Sequence, residues 1–295
     1  MEIHGIIAPV LTPFTSEGRV NWSALQRVVD YTIEECRADV IAAAALETQE
    51  YHFLSHEARK ALIKRTVEFV RGRRPVIVGV SHPNLTVATE LARFAEELGA
   101  HAVQALVPLR PFGGQPTRTE VLRYFETLGH ATSLPLVVYI NPGPGAEVPP
   151  SLVVDLARLG PVRYFKEASR DLRRVSRLIE EVDRGGHARF FTTMEMLLIS
   201  LELGGPGATM PPPAAKIGAD IVRAYAAGDL KAAIEEQRKF SLFPARFIHH
   251  GLAPVMKAAM KLVGVDVGDP NPPFEPLPPE EMEALGKCLH EIGLV

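Results

Sequence analysis

The chain has 295 residues and a mass of 32.3 kDa, close to the roughly 250 residues of an α/β barrel with a remainder left over. Apolar residues make up 46% and charged residues 23%, which excludes wholesale disorder and allows a large core. A net charge of −3, from 32 Lys+Arg against 35 Asp+Glu, gives no basic excess for nucleic acid or an anionic membrane, and no apolar run is long enough to span a bilayer. The start, Met1-Glu2-Ile3-His4, lacks the basic and apolar regions of a signal peptide. Cys36 and Cys288 belong to no CxxC or Cys/His cluster, so they read as structural thiols in a reducing cytoplasm.

Along the chain, short β-branched runs alternate with longer amphipathic stretches. The predicted strands are Gly5–Leu11, Asp39–Ala45, Pro75–Val80, Ala102–Val107, Pro135–Ile140, Val162–Lys166, Arg189–Thr193 and Gly207–Met210. Between them, Trp22, Leu25, Val28, Val29 and Ile33 share one helical face, and so do Leu62, Ile63, Val67 and Val70. Ser55 suits an N-cap, and Gly99 stops the helix that carries Leu91, Phe94, Ala95 and Leu98. Eight β–α repeats with right-handed crossovers predict an α/β chain folded as a closed (β/α)8 TIM barrel. We place the barrel at residues 1–227. A C-terminal helical appendage follows at 228–295, with helices over Leu230–Phe243, Ala253–Val263 and Glu280–Ile292 and a proline-rich connector between Pro270 and Pro279.

In such barrels chemistry gathers at the C-terminal ends of the strands. Side chains alternate along a strand, so Val162, Tyr164 and Lys166 share a face. If that face is the inner one, the Lys166 ammonium is desolvated, which favours the neutral amine that can attack a carbonyl and form a Schiff base. Tyr139, in phase with Val137 on the neighbouring strand, would stand at the matching level and could relay protons. The competing reading makes Lys166 a solvated lysine paired with Glu167 or Asp171, and Tyr139 a packing residue. His249-His250 resembles a metal pair, but adjacent side chains diverge by about 100° in a helix, so the pair is assigned to the surface and no catalytic metal is expected. No cofactor motif is recognised, and Gly204-Gly205-Pro206-Gly207 reads as a turn.

Three segments carry a resemblance: Ala8-Pro9-Val10-Leu11-Thr12-Pro13-Phe14, Tyr139-Ile140-Asn141-Pro142 and Phe165-Lys166-Glu167-Ala168-Ser169. Together with Pro75–Val80, Ala95–Ala100 and Pro254-Val255-Met256-Lys257 they resemble the dihydrodipicolinate synthase / N-acetylneuraminate lyase family from about Gly5 to the C-terminus. The resemblance implies a barrel with a C-terminal helical part and a homo-oligomer, usually a tetramer. It also implies a class I lyase without a cofactor, which binds pyruvate or another 2-oxo acid as a Schiff base on Lys166 with Tyr139 as proton relay. The partners implied are a small 2-oxo acid and an aldehyde.

Departures from the family pattern are informative. Its strand-2 signature, Gly-Thr-Thr-Gly-Glu, is replaced by Leu46-Glu47-Thr48-Gln49-Glu50. Thr48 is expected to keep a contact with the oxo-acid carboxylate. Glu47 either acts as a substrate-specific acid or base, or turns outward to pair with an arginine. The family's tyrosine pair after strand 4 is replaced by Leu109 and Arg110, and the arginine that follows its Tyr-x-x-Pro by Pro144. Both argue against true dihydrodipicolinate synthase activity. Arg110 is a candidate clamp for a distal acidic group, Thr209 is placed at the rim beside the oxo acid, and Thr193 is either a substrate contact or a helix cap. The leading expectation is an aldolase-type lyase that makes or breaks a C–C bond. Dehydration of a sugar acid through the same Schiff base stays open, as does a barrel that binds a metabolite without turnover.

Overall fold

The computed structural model describes residues 3–110 and 114–295; Met1 and Glu2, on which part of the N-terminal reading rests, lie outside the described residues. Eight parallel strands form a closed barrel in chain order: β1 Gly5–Pro9, β2 Val40–Ala43, β3 Val76–Gly79, β4 Ala102–Leu106, β5 Leu136–Ile140, β6 Val162–Glu167, β7 Arg189–Thr193 and β8 Gly207–Thr209. Each lies inside or within a residue of its predicted span. The alternating helices are α1 Trp22–Glu34, α2 His56–Val70, α3 Leu85–Glu97, α4 Arg118–Ala131, α5 Pro150–Ala157, α6 Leu172–Leu178, α7 Leu197–Glu202 and α8 Ala214–Ala226. After them come α9 Leu230–Arg238, α10 Leu252–Leu262 and α11 Pro279–Glu291.

Helix starts follow local chemistry. Asn21, Ser55, Asn84, Thr117 and Asp171 each place a side-chain oxygen on a first-turn N–H, satisfying donors that have no partner inside the helix. Thr117 and Glu120 form a reciprocal capping box. Gly99 ends its helix in a left-handed conformation, φ +73°, that side chains rarely adopt. The last predicted helix before α10 is shorter than expected. It stops at Arg238, and the short 3-10 turn Lys239–Ser241 takes over; a second one, Ala245–His250, follows Pro244 beyond the predicted end.

Chain contacts gather into two compact units. One is Pro75–Thr209 with Ile3 and His4, which contains β3–β8; the Tyr164 hydroxyl accepts from Ile3 N at 3.3 Å. The other is Gly5–Arg74 with Met210–Val295, so the C-terminal helices share a unit with the first two β–α repeats. In the second unit Cys36 is wholly buried and its thiol meets the Tyr31 hydroxyl. Burial pushes the thiol up to about 12, with the Tyr31 hydrogen bond pulling the other way. Cys288 is buried too, and both are free thiols.

The raised Cys36 value carries a sign. Its thiol stays neutral when folded but ionises near its ordinary value of 9 when unfolded. The associated stability is complete below pH 9 and is lost as pH climbs toward about 12. Thermal melts should decline over that range, and Cys36→Ala should flatten the part of the decline that begins near pH 9. Equal slopes in the two proteins would refute the assignment.

Candidate active site

The first unit presents its chemistry at the ends of β5–β8. In β6, Glu167 accepts two hydrogen bonds from Arg174 on α6, at 2.9 and 3.0 Å, so its face of the strand is turned to the helix layer. Phe165, two residues earlier, meets Phe190 with ring centroids 6.1 Å apart on that same face. Val162, Tyr164 and Lys166 therefore point into the barrel. Lys166 pairs in register with Tyr139 of β5 on one side and Phe191 of β7 on the other. Its Nζ lies 4.5 Å from the Tyr139 ring centroid, and both side chains are almost fully buried, at 4% and 1% exposure. The two carboxylates offered as surface partners are engaged elsewhere: Glu167 with Arg174, and Asp171 as the cap of α6.

The same phase carries to the next strands. Thr193 of β7 pairs in register with Thr209 of β8, two residues beyond the level of Phe191, so both hydroxyls share the face of Lys166. Thr193 makes no side-chain cap bond, which removes the capping alternative for it. The Thr209 hydroxyl is buried and has no hydrogen-bond partner among the described residues. Asn141 was not singled out from the sequence. Its Nδ2 donates to the Tyr139 hydroxyl at 2.7 Å, and the signal for it was its place two residues beyond Tyr139. A cavity of about 560 Å³ opens beside Asn141, lined also by Gln115, Glu147, Ser169 and Arg170. Arg170 is ion-paired with Glu195 at 3.0 Å.

Arg110 sits in a different setting. It is exposed and grips Glu120, the first-turn partner in the α4 capping box, through Nε and Nη2 at 3.1 and 2.8 Å. That guanidinium holds the Glu120 carboxyl down to about 2. Its neighbour Pro111 lies outside the described residues.

The second unit carries the β2 end. Leu46–Glu50 forms a short 3-10 turn over Glu47–Gln49. Gln49 holds it: Nε2 donates to Val10 O and Ala42 O at 2.8 and 2.9 Å, while Oε1 accepts from Ala45 N and Leu46 N at 2.7 and 3.1 Å. Thr12 Oγ1 adds a 2.5 Å bond to Gln49 O. The Thr48 hydroxyl is buried without a hydrogen-bond partner among the described residues. Glu47 bears on His52: burial pushes that imidazole's pKa down, the Glu47 charge opposes this, and the buried Arg59 charge adds to it. In the C-terminal region His249 and His250 end the 3-10 turn Ala245–His250, and their rings lie together although successive side chains diverge in such a turn too. Their ring centroids are 4.1 Å apart, with Glu281 alongside, and the three side chains' ligating atoms lie within 4.8 Å of one another.

A lysine and a tyrosine on adjacent strand ends of such a barrel set the frame for comparison with known proteins. The model of the dihydrodipicolinate synthetase family matches residues 2–292. The chain belongs to this family. A 4-hydroxy-tetrahydrodipicolinate synthase of Bacillus velezensis is 29% identical, over 99% of this chain and 100% of its own length. One from Acetivibrio thermocellus is 30% identical, over 97% and 96%. Among solved structures, N-acetylneuraminate lyase from Mycoplasma synoviae superposes with a TM-score of 0.85 at 26% identity, over 98% of this chain and 97% of that one. Dihydrodipicolinate synthetase family members are class I lyases that take pyruvate through a Schiff base, and this chain is a lyase of that type. No helix among the described residues is long and apolar enough to cross a membrane.

The Glu167–Arg174 pair fixes which face of β6 is which. Glu167 is fully buried and Arg174 is 19% exposed at the side chain. Arg174→Ala leaves a buried carboxylate without its counter-charge and should destabilise the fold by about 3–5 kcal/mol. Replacing both, as Glu167→Leu with Arg174→Met, should recover most of that loss in chemical denaturation.

Proposed function

We propose that Lys166 is the Schiff-base nucleophile and Tyr139 the proton relay of an aldolase-type lyase acting on pyruvate or a related 2-oxo acid. The observation that carries this is the register pairing of Tyr139 with Lys166, with the amine 4.5 Å from the phenol ring in a buried setting. The Lys166 amine adds to the C2 carbonyl, giving a carbinolamine. Loss of water leaves an iminium, and the freed hydroxyl needs a proton that Tyr139 returns. The iminium then draws electrons from the C3–C4 bond. Cleavage takes the proton from the C4 hydroxyl and releases an aldehyde and an enamine; the reverse joins them, while protonation of the enamine at C3 regenerates an iminium whose hydrolysis by water frees the 2-oxo acid and Lys166.

Asn141 orients the Tyr139 hydroxyl by donating to it at 2.7 Å. The Thr48 hydroxyl is the carboxylate contact in this reading, supported by its burial without a partner among the described residues. Thr209, with its own unsatisfied hydroxyl, is a second contact to the oxo acid. Glu47 takes the place of a hydroxyl in the family's turn and is the residue proposed to set which oxo acid is accepted. Arg110, held by Glu120, contributes to this reading only if it exchanges that partner for a substrate carboxylate. A cytoplasmic homo-oligomer, tetramer or dimer, completes the proposal, supported by the buried free thiols and the family resemblance.

Borohydride reduction with pyruvate, and then with longer 2-oxo acids, should place one adduct on Lys166 by intact mass and peptide mapping. Lys166→Ala should abolish it, and full turnover by that variant would sink the proposal. Tyr139→Phe should retain trapping but lower turnover by about 10²–10⁴-fold. Product analysis decides the reaction: a released aldehyde marks C–C cleavage, an intact deoxy-oxo acid marks dehydration.

A further inference from the structure

We infer that the buried Glu50–Lys257 pair is a positioning device that holds the turn carrying Thr48 and thereby sets the affinity for the 2-oxo acid. This rests on the reading above, in which Thr48 meets the carboxylate. Both side chains are almost fully enclosed, at 4% and 2% exposure. Removing two charges from water is costly, and an apolar pair of similar volume would hold a core more cheaply. What an ion pair adds is direction, and here the pair is tied to two further segments. Glu50 Oε2 meets Lys257 Nζ at 2.5 Å, while Oε1 accepts from Asn271 N at 2.7 Å. Lys257 also donates to Asp269 O at 3.0 Å and lies 4.5 Å from the Phe14 ring centroid.

Two backbone features show that these contacts are built rather than incidental. Glu50 adopts a left-handed conformation, φ +52° and ψ +24°, that disfavours any residue with a Cβ. Its N–H closes the turn by donating to Glu47 O at 2.9 Å, so the strained residue ends the segment that contains Thr48. Glycine would fit that backbone without strain; a glutamate there gains the links to Lys257 and Asn271. On the other side, Gly268 lets the segment leading into the connector approach the loop after β1: a Cβ on it would stand 2.3 Å from Phe14 O. The Phe14 N–H donates to Val267 O at 3.3 Å beside it. The connection runs from α10 through Lys257 and Glu50 to the turn, and Thr48 lies two residues before Glu50. Burial lowers the Lys257 pKa and the Glu50 charge opposes that, as expected of an ammonium kept charged by its partner.

The test reads the pyruvate concentration that half-saturates borohydride trapping on Lys166. Glu50→Gln should raise it about tenfold with the saturating yield unchanged, and Thr48→Val should raise it by a similar factor. The double variant should be no weaker than Thr48→Val alone, because Glu50 acts through that hydroxyl. A merely structural role would give additive effects, and additivity overturns the inference, as does an unchanged half-saturation in Glu50→Gln. Should Glu50→Gln fail to fold, Glu50→Leu with Lys257→Met keeps the volume without a buried charge. It should fold, bind pyruvate about tenfold more weakly, and exchange the 46–50 amides about tenfold faster while β5 and β6 keep their protection. Wild-type exchange in that turn overturns the inference even if the wild-type protein forms no adduct, an outcome that by itself counts against the proposed function instead.

Discussion

The alternation of side chains along β6 is the constraint on which the site depends. A strand offers two faces, and a lysine next to a glutamate must send one to each. Arg174 settles the assignment by taking Glu167 into the helix layer, which leaves Lys166 no choice but the inside of the barrel. Register then does the rest. Parallel pairing sets Tyr139 level with Lys166 on one side, and the β7–β8 pair lifts Thr193 and Thr209 to the level above. No loop has to fold correctly for the amine and the phenol to meet. Their proximity comes from the ladder that also builds the core.

The β2 turn works in the opposite way. It has no ladder of its own and is fixed by long side chains reaching back to backbone atoms. Gln49 ties it to the ends of β1 and β2, and Glu50 ties it to α10 and the connector. Residues far apart in sequence thus meet within one compact unit, which gives the C-terminal helices a part in bracing the β2 turn as well as in packing. A ladder holds strand-end groups rigidly, whereas a turn is held only as firmly as its braces.

Much of this was legible in the sequence, because period-two and period-3.6 patterns are local. All eight strands and the caps at Ser55 and Gly99 follow from such patterns. The inward phase of Lys166 needed only the alternation rule, with Arg174 to choose the face. What escaped was tertiary. Nothing local distinguishes Gln49 from any polar turn residue until Val10 O and Ala42 O are seen beside it. The partnership of Glu50 and Lys257 spans most of the chain. The helix expected to run to Phe243 gives way to a 3-10 turn after Arg238, and the two histidine rings meet through side-chain placement that no periodicity encodes.

Gln49 has a consequence for anyone wishing to re-engineer specificity. Its amide uses both hydrogens and both acceptor positions on four backbone groups. Transplanting the family's usual Gly-Thr-Thr-Gly-Glu segment into this barrel would delete that amide and take a buried side-chain partner from Val10 O, Ala42 O, Ala45 N and Leu46 N at once. The turn is therefore not a modular cassette. Glu47 and Thr48 can be exchanged one at a time on the existing brace, but a graft that also removes Gln49 would have to bring its own support for the ends of β1 and β2.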